Sequence, residues 1–180
     1  GYWCDMGDPA AYLSCAMDAL DGKVDIDLGT KSQGDSVWSP AAVSEDVKIL
    51  PPVYIGENVT LEAGARIGPF AVIEQGSRVA KNAEVSYSVV QSASIGRGAS
   101  LNHSVVCAGS ILETGATLKY GSVLGEKVHV GAGATVDEDV RIWGDIRIPE
   151  GAYIRSNLVS ASPRLGVLFN EAGAISGVAN

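Results

Sequence analysis

The chain has 180 residues, 13 Lys and Arg against 21 Asp and Glu, and a formal net charge of −8. That length suffices for one real core, and an acidic balance without a basic stripe argues against a nucleic-acid partner. No apolar run reaches the roughly 18 residues of a membrane span. Cys4, Cys15 and Cys107 lack metal-ligand spacing, and the first residues lack the cationic start and apolar run of a signal peptide. The expectation is a cytoplasmic protein with reduced thiols and no membrane contact.

Asp8-Pro9 reads as a helix start, with Asp8 as N-cap and Pro9 at the first helical position. Leu13, Ala16 or Met17, and Leu20 then share one face, and Asp21-Gly22 ends the helix. Residues 1–24 form one unit, and 25–42 are read as a linker and cap. Within the latter, Trp38-Ser39-Pro40 covers the open end of the repeat region that begins at Val43.

From Val43 an aliphatic residue recurs every sixth position: Val43, Ile49, Ile55, Leu61, Ile67, Ile73, Val79, Val85. The series resumes at Ile95, Leu101 and Cys107, and again from Leu112 to Ile154. A small or aliphatic residue stands four places after each. It lies two before the next aliphatic residue, so both point to one face of a short strand. Gly64, Gly76, Gly98, Gly115, Gly121, Gly133 and Gly151, with Asn58, Asn82, Asp46, Asp139 and Asp145, occupy the place between strands. These residue types tolerate the positive φ of a sharp corner. Three sides close a coil of roughly eighteen residues, and each coil can bury its apolar side only against copies of itself. The fold class is an all-β solenoid, with about six coils over 43–154 stacked at strand spacing. Residues 155–180 lose the period and read as a tail.

The hexapeptide pattern resembles the left-handed parallel β-helix family, which supplies the handedness. Both flanks carry a further resemblance. Gly1-Tyr2-Trp3-Cys4-Asp5-Met6-Gly7-Asp8-Pro9, with Tyr12-Leu13 and Ala19-Leu20, resembles the end of the catalytic domain of sugar-1-phosphate nucleotidyltransferases. Pro51-Pro52-Val53-Tyr54-Ile55-Gly56, Ser88-Val89-Val90 and Ser104-Val105-Val106 are most similar to mannose-1-phosphate guanylyltransferases (GDP-mannose pyrophosphorylases). Leu168-Phe169-Asn170 through Ala179-Asn180 resembles the opening of a phosphohexomutase domain, with Ser176 where that family has Arg. The resemblance implies a nucleotidyltransferase–phosphomannomutase fusion. It implies that Asp5 helps hold Mg²⁺ in a full-length parent, a hard cation that wants oxygen ligands. The Gly-rich nucleotide loop of that family is absent from residues 1–180, so this chain alone is expected to be non-catalytic and to need no cofactor. Its expected role is oligomerisation and spacing of catalytic domains.

A different class of hexapeptide β-helix proteins transfers acyl groups from coenzyme A thioesters at a cleft between subunits, with a His as general base. His103 and His129 are the available histidines. No Asp, Glu or loop insertion stands near His103 in sequence to orient a base, so stacked or solvated surface roles are favoured for both. Gly96-x-Gly98 and Gly131-x-Gly133 are solenoid corners rather than phosphate loops, because no helix comes after them.

One side of the prism stands out. Two short units, near Gln91–Ser94 and after Ile111, shift the register. Allowing for them, Tyr54, Val72, Val90, Val106 and Val123 point outward on one side, and its corners carry Phe70, Tyr87, His103 and Tyr120. A contiguous apolar stripe on a polar solenoid marks a contact surface. Tyr54, Val72, Tyr87, Val90, His103, Val106, Tyr120 and Val123 are expected to meet a second copy of the chain or a catalytic domain.

Overall fold

The computed structural model describes residues 7–28 and 36–159. Helix α1 spans Pro9–Leu20, with Asp8 in extended conformation as its N-cap and the Asp8 carboxylate accepting the Ala11 N–H at 2.8 Å. The Asp21 N–H donates to the Met17 carbonyl, and Gly22 turns the chain away at φ 73°.

Among the described residues twenty strands of two or three residues come next, from Val37–Trp38 to Tyr153–Ile154. All pair in parallel with strands one coil away and form three sheets of seven, six and seven strands. The fold is a left-handed β-helix of about 7 turns. The first sheet contains Val37–Trp38, Val53–Ile55, Ala71–Ile73, Val89–Val90, Val105–Val106, Val123–Leu124 and Arg141–Ile142. Val37–Trp38 is therefore its first strand, in register with Val53 and Tyr54, and the solenoid begins before Val43. At the far end Leu158 bridges to Ile142, so the chain adds one more rung after the period stops.

The interior is a column of aliphatic residues from all three sheets, including Ile67, Ile73, Val79, Leu101, Leu118 and Leu124, each at most 1% exposed. Within the first sheet Val72 pairs with Val89, and Ile73 pairs with Val90. This corrects the register read from sequence. Val90 and Val106 are wholly buried in the solenoid interior, and the outward valines are Val89 and Val105. Cys107 lies outside the interior column as well. The interior series steps by five residues from Val85 to Val90, from Val90 to Ile95, and from Leu101 to Val106.

The five-residue corners satisfy their backbone in a particular way. In most six-residue corners the N–H of the small inward residue turns back to the carbonyl three places earlier, as from Ala65 to Glu62 and from Ala99 to Gly96, both at 3.1 Å, while the Val128 N–H donates to Ser110 Oγ at 3.1 Å. In two of the shortened corners this N–H instead meets a buried serine hydroxyl one coil below. The Ser104 N–H donates to Ser88 Oγ at 3.0 Å, and the Ala93 N–H donates to Ser77 Oγ at 3.4 Å. Buried backbone donors need a partner, and the serines supply it.

Most hydrogen bonds between coils run one way along the rod. In the six-stranded sheet the N–H groups of Glu62, Ala80, Gly96, Glu113 and Gly131 each donate to a carbonyl of the next coil. Gly131 donates to Ile148, and the next residue of that column is Pro149, which has no N–H to donate further.

Candidate functional site: a valine face beneath a helix

The outer surface of the first sheet is apolar because Val72, Val89, Val105 and Val123 stack there, one per coil. Helix α1 covers them. Leu13 is buried against Val89 and Val105, with Tyr12, Ala16 and Met17 packed around it. The face thus buries its apolar area within this chain, on the helix that precedes the solenoid.

A polar clamp closes one edge of the contact. The Gln91 side-chain amide donates to the Tyr12 hydroxyl at 3.1 Å and to the Glu74 carboxylate at 3.2 Å. Burial, then the Glu74 charge, pushes the Tyr12 hydroxyl above its ordinary value of 10.0, so it stays protonated. Burial likewise raises the Cys107 thiol beside the helix, which makes it a poor nucleophile.

At the corner beside this face four rings stack. Phe70 and Tyr87 have centroids 5.5 Å apart, Tyr87 and His103 4.4 Å, and His103 and Tyr120 4.4 Å. Phe70, Tyr87 and His103 hold φ of 55°, 49° and 50°, which bulky residues seldom adopt. The ladder places three of the sequence-selected residues together, namely Tyr87, His103 and Tyr120. The Asn102 amide oxygen accepts from the His103 Nδ1–H, leaving Nε2 with its lone pair. Burial lowers the His103 pKa below its ordinary 6.5.

Tyr54, Val72 and Val123 face outward on the first sheet as read from sequence, half-buried by the helix side of the molecule. Val90 and Val106, chosen with them, cannot meet a partner, since both are 0% exposed in the core. Asp5 lies outside the described residues. His129 is not a solvated histidine: on the six-stranded sheet its Nε2 pairs with the Glu113 carboxylate. That pairing holds the Glu113 carboxyl below its usual range. Among the described residues no group of three or more His, Cys, Asp or Glu is placed to hold a metal ion. No helix of the described residues is long and apolar enough to cross a membrane. What sequence reasoning missed is the helix–face contact: Leu13 and Val89 are separated by a long stretch of chain, and no local pattern pairs them.

Comparison with known proteins gives one family. The model of the GMPPB C-terminal domain matches residues 49–142. No curated protein matches the chain. Among solved structures, WeeI from Acinetobacter baumannii AYE is similar at 19% identity and a TM-score of 0.50, over 61% of this chain and 52% of that one. The acetyltransferase domain of PglB from Neisseria gonorrhoeae FA1090 is similar at 19% identity and a TM-score of 0.46, over 69% of this chain and 51% of that one. A hexapeptide transferase family protein from Anaplasma phagocytophilum is similar at 17% identity and a TM-score of 0.46, over 78% of this chain and 89% of that one. The chain spans about half the length of the first two, and these likenesses are likenesses of fold.

Proposed function

Because this chain belongs to the GMPPB C-terminal domain family, we propose that it is the non-catalytic β-helix region of a sugar-1-phosphate nucleotidyltransferase of the mannose-1-phosphate guanylyltransferase type. In this reading the parent joins a sugar 1-phosphate to a nucleoside triphosphate with Mg²⁺, makes a GDP-mannose-type product in the cytoplasm, and carries a phosphomannomutase domain downstream. The β-helix spaces the catalytic domains and assembles copies of the chain. The observation that carries the reading is α1 on the valine face. The segment that resembles the end of the catalytic domain is fastened to the solenoid by buried Leu13 and the Tyr12–Gln91–Glu74 clamp. A catalytic domain ending in α1 would be held at a fixed angle to a rigid rod. The acyl-transfer alternative has less support at His103, which an amide oxygen and not a carboxylate orients, and the observation in its favour is the His129–Glu113 pair.

Four measurements test it. Residues 1–180 with mannose 1-phosphate, GTP and Mg²⁺ should release no pyrophosphate. Turnover of about 1 per second or faster would overturn the non-catalytic reading. Acetyl coenzyme A should not be consumed with sugar acceptors, and turnover there would establish the acyl-transfer alternative. Sedimentation should show an oligomer, and a monomer at tens of micromolar would remove the assembly role. The protein encoded with its upstream domain should form GDP-mannose, and failure to do so would remove the assignment of the parent.

A further inference from the structure

A cleft lies where the amino-terminal half of α1 overhangs the later coils. It encloses about 330 Å³, a size that suits a small molecule. Met17 and Val123 give it an apolar floor, and His103, Tyr120, Asp139 and Arg141 also line it. Tyr120 is the last rung of the ring ladder, 56% exposed, and among the described residues no further ring stacks on it. The corner of the next coil carries Glu138-Asp139 instead of an aromatic residue. The Asp139 side chain folds back over Gly121, so close that a Cβ on Gly121 would lie 2.1 Å from Asp139 Oδ1. Arg141 is exposed on the outward side of the first sheet, and among the described residues no ion pair joins it to Asp139.

We propose that this cleft binds a nucleotide. The base would stack on Tyr120 as a fifth rung at the ladder's own spacing, since every base has a π-face that an aromatic side chain can take. The Asp139 carboxylate accepts only, so it calls for the N–H groups of an exocyclic amino or ring nitrogen. The Arg141 guanidinium, with no carboxylate of the described residues spent on it, is the partner for a phosphate. A bare sugar phosphate lacks the ring, and a nucleoside lacks the anion, so each would use only part of the site. The proposal goes beyond the scaffold role and does not rest on it.

The test is equilibrium titration of the whole chain with GMP, AMP and CMP, with ribose 5-phosphate and guanosine as partial ligands. At least one nucleotide should bind saturably, with the two partial ligands weaker by about tenfold or more. Tyr120→Ala and Arg141→Gln should each weaken nucleotide binding by about tenfold. Asp139→Asn, which keeps a side chain tolerant of φ 56°, should change the ranking of the three bases. Melting curves establish that the variants, all at exposed positions, remain folded. Absence of saturable binding by all three nucleotides overturns the proposal, as does binding that both Tyr120→Ala and Arg141→Gln leave unchanged.

Discussion

Ser88 lies in the interior beneath a corner that is one residue short, and its hydroxyl receives the Ser104 N–H. Ser88→Ala should leave that donor buried without a partner, at a cost of about 1–3 kcal/mol. Denaturant titration reads this directly, and a loss below about 0.5 kcal/mol would mean another acceptor is within reach. Gly121 is the complementary case, where a side chain is excluded rather than required. Its φ is 74°, and Asp139 occupies the space a Cβ would take. Asp139 can swing aside, so backbone strain sets the expected loss for Gly121→Val, about 1–3 kcal/mol by thermal or chemical melting. A neutral result would mean that this corner relaxes freely. Such corners were legible in the sequence: Gly64, Gly76, Gly115, Gly121 and Gly133 all hold positive φ, as do Asn58, Asn82, Asp139 and Asp145. The choice between Val89 and Val90 was not legible. Two adjacent valines satisfy either register, and the pairing that separates them, Val72 with Val89 and Ile73 with Val90, is made with a strand one coil away.

The ring ladder is an element held together across coils, and its histidine makes it sensitive to pH. His103 has a folded pKa below its ordinary 6.5 because burial disfavours the charged ring. The fold therefore prefers the neutral form. The stability this contributes is complete above pH 6.5 and is lost as pH falls through the lowered folded value. A proton NMR titration should find the His103 midpoint below 6.5, and His103→Gln should remove that part of the acid dependence. A midpoint above 6.5 would show that attraction of the imidazolium to the neighbouring tyrosines outweighs desolvation. The stacking column itself was legible, since Phe70, Tyr87, His103 and Tyr120 fall at one corner of the sequence repeat. The helix above the valine face was legible as a helix, from Asp8-Pro9 onward, but its destination was not. A surface that looked ready for a second chain is occupied by the chain's own first element.

At the scale of the molecule, the inward and outward valines should behave in opposite ways. Val90→Asp with Val106→Asp places two charges in a column that is 0% exposed at both sites, so the solenoid should fail to fold. Val89→Asp with Val105→Asp charges the face under α1 and should release the helix while leaving the rod intact. Hydrogen exchange distinguishes them: the first pair should lose protection everywhere, the second only in α1. Protection retained throughout the first variant would restore the register read from sequence.

Pro149 gives the rod a direction and a stop. Every coil before it in the six-stranded sheet hands an amide proton forward to the next, so a coil built on that sheet after Ile148 would look to residue 149 for its donor. A proline there blunts the growing end, as it blunts exposed sheet edges in general. Stacked parallel coils would otherwise offer a template on which another molecule's opening coil could continue. The length of this spacer is therefore written in one ring closure rather than in the number of repeats alone. Pro149→Ala restores the donor, and the variant should show end-to-end association in sedimentation that grows with concentration beyond the assembly state of the unsubstituted chain. If variant and parent sediment alike at every concentration, the limit on growth lies elsewhere, with the Leu158 rung on Ile142 as the remaining barrier.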